Sequence, residues 1–357
     1  MKVLTVVGAR PQFIKAAIVS KRIKEESEDI DEIILHTGQH YDENMSHVFF
    51  DQMGLVKPKY NLQIGNLSHG AMTGRMLESI ESIIKDEKPE FVMVYGDTNS
   101  TLAGALAASK LHTAVIHIEA GLRSLNMQMP EEINRIVTDQ LSTTLFCPTE
   151  QAVVNLNNEG FERKGWITII KNGDVMFDAA MYFAKFALAP SFKVPEKFIL
   201  ATLHRAENTD SKDRMQEIIF ALNKLNAETP VIVPLHPRTL KLITQYQIPV
   251  NFFVCEPLGY LQMLFMLKNA SLVITDSGGL QKEAYFFNNP CITVRDQTEW
   301  VELVEGGYNI LSNANENDIY KSYLRMKDKS FDSSEDALYG KGQASSKIAA
   351  YLKENLN

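Results

Sequence analysis

The hydrophobic pattern of this chain alternates short runs rich in valine and isoleucine with longer amphipathic segments of helical period. Short apolar runs of this composition indicate buried strands, and a regular strand–helix alternation is typical of a parallel sheet. In the first half, the predicted strands cover residues 3–7, 32–36, 91–95, 114–118 and 167–170. The pattern therefore predicts a parallel α/β domain.

The same pattern begins again after Pro190 and Pro195. Its predicted strands cover residues 198–202, 231–233, 251–254, 272–275 and 292–294. A helical pattern over 175–188 and the proline-bounded link after it place the boundary between two domains within 174–195. We expect a first domain over 1–175, a second over 190–340, and a terminal helix within 341–357 that returns to the first domain.

Composition narrows the class of protein. Hydrophobic residues make up 45% of the 357 and charged residues 22%, and no stretch approaches the roughly 20 apolar residues of a membrane span. The first apolar run ends at Gly8, too early for a signal peptide. Three widely spaced cysteines form no CxxC pair and no even disulfide set. We expect a soluble, cytoplasmic protein.

The net charge of −8 argues against nucleic acid or a membrane surface as the main partner, because both are bound chiefly by concentrated positive charge. The chain carries neither the GxGxxG nor the GxxxxGK[ST] sequence of common nucleotide cofactor sites. Its eight histidines form no recognisable ligand set with cysteine. We therefore expect no metal and no cofactor.

Acidic residues follow two neighbouring predicted strands, where doubly wound sheets bind their ligands. Asp97 follows the strand over 91–95, Glu119 follows the next strand, and Glu131 lies in the first turn of a helix opened by Pro130. Asp97 is equally consistent with a helix N-cap, and first-turn acids such as Glu131 and Glu132 often serve only the helix dipole, so Glu132 is left out of the predicted site. Together, three acids at one sheet edge could move a proton on and off carbon.

The end of the first predicted strand carries two cations. Arg10 lies at the positive end of the following helix and Lys15 about one turn further. They could bind a phosphate or the oxygens of a sugar. Lys15 alone is as consistent with a solvated lysine on an amphipathic helix.

Two histidine-containing pairs follow strands of the second half. His204 and Arg205 follow the strand over 198–202, and His236 precedes Arg238 after the strand over 231–233. Arginine and histidine at a strand end could bind a pyrophosphate. A single histidine is more often structural, so His204 alone would be weak evidence.

The sequence Thr275-Asp276-Ser277-Gly278-Gly279 directly follows another predicted strand. Its glycines would let backbone amides approach a phosphate at a helix N-terminus. Glu283, further along that helix, could accept both hydroxyls of a ribose. A capped helix with tightly packed glycines is the alternative.

Six motifs in order resemble the UDP-N-acetylglucosamine 2-epimerase family across nearly the whole chain. They are Gly8-Ala9-Arg10-Pro11, Tyr95-Gly96-Asp97-Thr98, His117-Ile118-Glu119-Ala120-Gly121-Leu122-Arg123, Pro130-Glu131-Glu132-Ile133-Asn134-Arg135, His204-Arg205-Ala206-Glu207 and Asp276-Ser277-Gly278-Gly279. The resemblance implies two Rossmann-like doubly wound domains facing a cleft, the GT-B architecture, which binds a UDP-sugar without a cofactor and usually forms a homodimer.

The resemblance also implies roles for individual residues. The catalytic residues would be Asp97, Glu119, Glu131, His204 and Lys15. The substrate-binding residues would be Arg10, Arg205, His236, Ser277, Gly278, Gly279 and Glu283. The implied reaction interconverts UDP-N-acetylglucosamine and UDP-N-acetylmannosamine by eliminating UDP to give a 2-acetamidoglucal and adding it back.

Two segments depart from the family pattern. Members acting on UDP-N-acetylglucosamine often have Gly-Thr-Arg-Pro-Glu and Thr-Glu-Arg-Pro-Glu, where this chain has Gly8-Ala9-Arg10-Pro11-Gln12 and Thr298-Glu299-Trp300-Val301-Glu302. These variants look similar to the branch acting on UDP-2,3-diacetamido-2,3-dideoxy-glucuronate, which serves surface polysaccharide synthesis. That substrate, a hydrolysing 2-epimerase and a GT-B glycosyltransferase are the alternatives.

Overall fold

The computed structural model describes residues 1–39 and 57–356, apart from the side chains of Glu335 and Asp336. It divides into two compact units, one formed by Met1–Ala179 with Leu338–Asn357 and the other by Ala180–Ala337. Within the described ranges, every helix is too short or too polar to cross a membrane.

The first unit contains a seven-stranded sheet in the order β3-β2-β1-β4-β5-β6-β7, with every neighbouring pair parallel. Its strands are β1 (Lys2–Val7), β2 (Asp31–His36), β3 (Tyr60–Asn61), β4 (Phe91–Tyr95), β5 (Ala114–Ile118), β6 (Thr144–Cys147) and β7 (Thr168–Lys171). The order reverses direction between β1 and β4, as in doubly wound folds. The central strands are apolar along their length because helices cover both faces of a parallel sheet.

The helices of the first unit connect these strands. They are α1 (Arg10–Glu26), α2 (His69–Glu87), α3 (Asn99–Lys110), α4 (Pro130–Leu141), α5 (Glu150–Asn158) and α6 (Val175–Phe183), with the terminal helix α15 (Ala344–Glu354). Helix α15 packs against α1. The Tyr351 hydroxyl lies 2.8 Å from the Thr144 hydroxyl, which also joins α15 to β6.

The second unit contains a six-stranded parallel sheet in the order β10-β9-β8-β11-β12-β13. Its strands are β8 (Ile199–Thr202), β9 (Val231–Pro234), β10 (Phe253–Cys255), β11 (Leu272–Thr275), β12 (Cys291–Val294) and β13 (Asn309–Ser312). Its helices are α7 (Ala206–Thr209), α8 (Lys212–Asn226), α9 (Pro237–Tyr246), α10 (Tyr260–Asn269), α11 (Gly278–Phe286), α12 (Val301–Glu305), α13 (Glu316–Met326) and α14 (Ser333–Asp336).

The predicted strands are all present, but the prediction omitted β3, β6 and β13. Strand β3 has only two residues, too few to show a hydrophobic period. Strands β6 and β13 are as long as the predicted strands β8 and β11, but they begin with the polar residues Thr144 and Asn309. The helix predicted over 175–188 was too long. It ends at Phe183 and continues as a single 3₁₀ turn, Ala184–Phe186.

Candidate active site

Lys15 and Glu119 form an ion pair at the carboxyl edge of the first sheet. The Lys15 ammonium contacts the Glu119 carboxylate, and the side chains are only 9% and 12% exposed. The interpretation of Lys15 as a solvated lysine is therefore wrong. Gly96 leaves room for this pair, since a Cβ there would lie 3.3 Å from Glu119 Oε2 and 3.9 Å from Lys15 Nζ.

Glu119 has a left-handed backbone, with φ of 74°. This conformation is uncommon for a residue with a side chain and persists where the surrounding structure fixes it. Here the backbone amides of Glu119 and Ala120 both donate to the Phe146 carbonyl, at 3.1 and 3.0 Å. The turn after β5 is thus held by β6.

Asp97 does not cap the helix that follows it. Thr98 is the N-cap of α3 and accepts from the Thr101 amide, which leaves the Asp97 side chain to contact the Arg135 guanidinium on α4. Partial withdrawal from water raises the pKa of the Asp97 carboxyl, although its side chain is still 32% exposed. Arg135 opposes this rise, and the charge of Glu119 adds to it. A carboxyl group with a raised pKa is better matched to proton transfer near neutral pH.

The two neighbouring glutamates of α4 differ in their surroundings. Glu131 is exposed, and its charge also raises the pKa of Asp97. Glu132 is 1% exposed and accepts hydrogen bonds from the amides of Ser124 and Leu125, between 2.9 and 3.0 Å. It also accepts from Arg135 at 2.8 Å. Glu132 therefore anchors a loop and orients Arg135, a larger structural role than the helix dipole alone.

Gln12 is a buried residue that the sequence analysis did not select. Its Nε2 donates to the Tyr95 carbonyl at 2.7 Å and to the Thr101 hydroxyl at 2.9 Å. Its Oε1 accepts from the amides of Gly8 and Ala9 at 2.8 and 3.0 Å. Gln12 thus joins the loop before α1, where the half-buried Arg10 begins the helix, to the end of β4.

In the second unit, Asp276 organises the turn that contains His204 and Arg205. Asp276 is fully buried at the end of β11 and accepts from the amides of both residues, at 3.0 Å each. The Asn208 side chain adds a bond at 3.3 Å, and His204 Nδ1 lies 3.2 Å from Asp276 Oδ1. This network orients His204, whose side chain is 53% exposed and therefore open to a ligand.

The glycine-containing turn before α11 is both a capped helix start with one tightly packed glycine and an open helix N-terminus. Ser277 caps the helix by accepting from the Leu280 amide at 3.4 Å, and a Cβ at Gly278 would overlap the Glu299 carboxylate. Gly279 is exposed, and a Cβ there would meet no atom within 4 Å. Only Gly278 is tightly packed, so the N-terminus of α11 stays open to a phosphate at Gly279.

The remaining predicted residues of this unit lie in two helices. Glu283 is buried within α11. His236 is exposed and is the N-cap of α9, where its Nδ1 accepts from the Arg238 amide at 3.3 Å. The Arg238 side chain pairs with Asp210 at 2.6 Å, which reduces the positive charge that this segment offers a ligand.

The segment that departs from the family pattern also carries charge. Arg295 is 4% exposed and pairs with Glu299 at 2.9 Å. Although burial alone would raise the pKa of the Glu299 carboxyl, Arg295 and Arg205 hold it below its ordinary value. Neither member of this pair was among the predicted site residues, although the departure from the family pattern at 298–302 indicated this loop. Within the described residues, no group of acids, histidines and cysteines is arranged to hold a metal ion.

The chain forms two doubly wound sheets. The carboxyl edge of the first sheet carries acids and a buried lysine, and the second sheet is followed by a helix with an open N-terminus. This arrangement is that of a two-domain α/β enzyme. A sequence model of UDP-N-acetylglucosamine 2-epimerases matches residues 21–353. The chain belongs to the UDP-N-acetylglucosamine 2-epimerase family, so the predicted family and isomerase class are confirmed.

Three similar proteins support this assignment. The UDP-2,3-diacetamido-2,3-dideoxy-D-glucuronate 2-epimerase of Pseudomonas aeruginosa is 56% identical over 354 residues, 99% of each chain. The crystal structure of the Methanocaldococcus jannaschii UDP-GlcNAc 2-epimerase with UDP-GlcNAc and UDP is 40% identical, with a TM-score of 0.88 over 99% of this chain and 100% of that one. The UDP-GlcNAc-bound enzyme of Neisseria meningitidis is 31% identical, with a TM-score of 0.89 over 99% and 100%. The predicted GT-B fold class is confirmed.

Proposed function

We propose that this protein inverts C2 of a UDP-2-acetamido sugar and interconverts UDP-N-acetylglucosamine and UDP-N-acetylmannosamine. The observation that carries the proposal is the buried Lys15–Glu119 pair at the same sheet edge as Asp97, whose pKa is raised. This edge supplies carboxyl groups able to exchange protons, which binding of a nucleotide alone would not require.

The chemistry requires that C2 be activated before its proton leaves. C2 lies next to no carbonyl group, so a carboxylate with an ordinary pKa of about 4 would remove its proton far too slowly. If UDP leaves C1 with the electron pair of the C1–O bond, the C2 proton passes to a carboxylate and a C1–C2 double bond forms. A proton returned to the opposite face of C2, with UDP adding back to C1, gives the epimer.

We assign these proton transfers to Asp97, Glu119 and Glu131, with Lys15 and His204 completing the catalytic set. The raised pKa of Asp97 supports its assignment to proton transfer. The contact between Lys15 and Glu119 supports the place of Lys15 in this set, because its ammonium group balances the charge of the Glu119 carboxylate.

A further set of residues would bind the diphosphate and ribose and stabilise the negative charge that develops on UDP as it leaves. Each well-placed donor is worth roughly 3 to 4 kcal/mol in such a site. The open space beside Gly279 and the turn that Asp276 organises support this assignment. The proposed set consists of Arg10, Arg205, His236, Ser277, Gly278, Gly279 and Glu283.

A second candidate substrate is UDP-2,3-diacetamido-2,3-dideoxy-glucuronate. Two observations are compatible with it: the 56% identical relative that carries this name, and the loop with Trp300 in place of the arginine frequent in the family. The same elimination and re-addition apply, because the reacting C1 and C2 are unchanged. With either substrate, we propose that the protein acts as a cytoplasmic homodimer in the synthesis of surface polysaccharide.

Parallel incubations with the two UDP-sugars test the substrate. Each is supplied without added cofactor or acceptor, and products are followed by NMR. Conversion of UDP-N-acetylglucosamine to UDP-N-acetylmannosamine supports the first substrate, and conversion of the diacetamido sugar alone supports the second. Free UDP with free N-acetylmannosamine would indicate a hydrolysing enzyme. Inertness toward both sugars would contradict the proposal.

A further inference from the structure

His117 is a fully buried histidine on β5 whose two ring nitrogens both face hydrogen-bond acceptors. Nε2 lies 2.8 Å from the Gly96 carbonyl oxygen, and Nδ1 lies 2.7 Å from Asp139 Oδ1 on α4. A carbonyl group can only accept, so Nε2 carries a proton. An ionised carboxylate can also only accept, so Nδ1 carries a proton whenever Asp139 is ionised.

The surroundings of Asp139 favour its ionised form. Asp139 Oδ2 accepts from Arg123 Nη1 at 2.7 Å and from the Gly121 amide at 3.2 Å. Although burial alone would raise the pKa of the Asp139 carboxyl, His117 and Arg123 hold it below its ordinary value. On the neighbouring strand β6, Cys147 stays a neutral thiol, because burial and the nearby Asp139 raise its pKa.

The charges of this group balance when His117 is protonated. Arg123 also pairs with Glu159, with two contacts of 2.6 and 2.9 Å. Two cations, Arg123 and His117, then face two carboxylates, Asp139 and Glu159. Burial of a charge is tolerated when it is paired and its remaining hydrogen-bonding groups are satisfied, as they are here.

We propose that His117 carries a proton on both ring nitrogens, as an imidazolium, and acts as a positioning residue for the Gly96–Asp97 turn. The Gly96 carbonyl and the Asp97 amide belong to one planar peptide group. A hydrogen bond that holds the carbonyl therefore also fixes the position of the Asp97 backbone nitrogen. Gly96 has a φ of 62°, which glycine adopts as readily as many other conformations, so a hydrogen bond to its carbonyl restricts a residue that is otherwise free to move. A hydrogen bond from a charged donor is about twice as strong as a neutral one.

The Gly96–Asp97 turn lies between the proposed proton-transfer groups. On one side, Gly96 approaches the Lys15–Glu119 pair; on the other, it leads directly to Asp97. A displaced Gly96 would therefore move two proposed proton-transfer groups relative to each other. This part of the inference rests on the proposed function, whereas the charge of His117 does not.

The charge is measured on the whole chain labelled with ¹⁵N in its histidine rings. Near pH 8, ordinary histidines are neutral, because their pKa values lie at about 6.5. The expected spectrum contains one ring with both nitrogens protonated, and that signal is absent from His117→Gln. In Asp139→Asn, the same ring should show one unprotonated nitrogen. A wild-type spectrum in which every ring has one unprotonated nitrogen would overturn the proposal, even if neither variant folded.

The positioning role is measured by kinetics on the same variants. His117→Gln and Asp139→Asn should lower kcat by up to about a hundredfold, the scale of misplacing a reacting group by about 1 Å. KM should change by less than about threefold, since neither residue is expected to touch substrate. The matched control is His112→Asn, at an exposed histidine in a left-handed turn, and it should retain wild-type kcat.

The possible failures are distinguishable. Folded variants with wild-type kcat would overturn the positioning role and leave the charge state standing. A wild-type protein that converts neither UDP-sugar would contradict the proposed function, while the ring spectrum would still decide the charge of His117.

Discussion

At the scale of single residues, Asp97 is the most direct test of proton transfer. Asp97→Asn keeps an oxygen able to accept from Arg135, so the fold should be retained. It cannot take a proton from carbon, and exchange at C2 should fall by at least about a hundredfold, the lower range for a positioned base. Exchange is measured by NMR in D₂O, and UDP binding by calorimetry.

The control for this substitution is Asp29→Asn, at an exposed aspartate of the same unit. It should leave both exchange and binding unchanged. A folded Asp97→Asn protein that exchanges C2 at the wild-type rate, or that loses UDP binding instead, would contradict the assigned role.

Gly96 tests the packing beside Lys15 and Glu119. Gly96→Ala places a methyl group 3.3 Å from Glu119 Oε2 on a backbone with φ of 62°. A left-handed backbone costs an L-residue about 1 to 2 kcal/mol, so chemical denaturation should show a loss of this size, together with a lower kcat.

Gly74→Ala is the matched control for Gly96→Ala. Gly74 is exposed inside α2, and a Cβ there would meet no atom within 4 Å. Because alanine is favoured over glycine inside helices, the variant should gain up to about 1 kcal/mol and keep wild-type kcat. Equal effects of the two substitutions would show that Gly96 has no special role.

Asp97 and Glu119 could be selected because they directly follow strands, and Lys15 because it lies in the first turns of the helix after β1. The carboxyl ends of the strands in a doubly wound sheet share one edge. The catalytic roles of these residues remain predictions. Local sequence could not show whether Asp97 caps α3 or pairs with another side chain, because its partner, Arg135, lies 38 residues later. His117 and Gln12 were missed for the same reason. A polar residue within an apolar strand run, such as His117, was the available signal.

At the scale of elements, the terminal helix α15 is expected to stabilise the first unit. Leu352 is fully buried in α15, which packs against α1. Leu352→Ala should lower the free energy of unfolding by about 2 to 5 kcal/mol, the range for truncating a buried leucine. Lys347→Ala, on the exposed side of the same helix, should change it by less than about 0.5 kcal/mol. Similar values for the two variants in urea denaturation would contradict this packing.

Strands that consist of a continuous apolar run could be predicted from the sequence, whereas those without one could not. Strands β1, β4 and β5 have five or six residues of clear apolar character. Strand β6 has four residues, Thr144–Cys147, and is recognisable as a strand mainly by its pairing between β5 and β7. Its omission mattered, because the Phe146 carbonyl fixes the turn at Glu119.

At the scale of the whole molecule, buried carboxylates predict how stability depends on pH. Hydrogen bonds and Arg135 hold the pKa of Glu132 below its ordinary 4.5, despite its burial. The unfolded chain therefore binds more protons than the folded chain at a pH just below 4.5. The stabilisation from Glu132 is present above that pH and is lost as pH falls through its lower folded pKa.

Glu132→Gln tests this dependence. The variant should be less stable than the wild type at about pH 7, by roughly 1 to 3 kcal/mol, and the difference should narrow near pH 3. Glu131→Gln, at the exposed neighbour, should follow the wild-type curve. A Glu132→Gln difference that is constant between the two pH values would contradict the lowered pKa.

The central claim is that the chain exchanges the proton at C2 of a UDP-2-acetamido sugar without a cofactor. The most direct measurement incubates the purified protein with UDP-N-acetylglucosamine, and separately with UDP-2,3-diacetamido-2,3-dideoxy-glucuronate, in D₂O, following the C1 and C2 signals by NMR. The account predicts deuterium at C2 together with the C2 epimer of at least one of the two sugars. Recovery of both sugars with C2 fully protonated would contradict it.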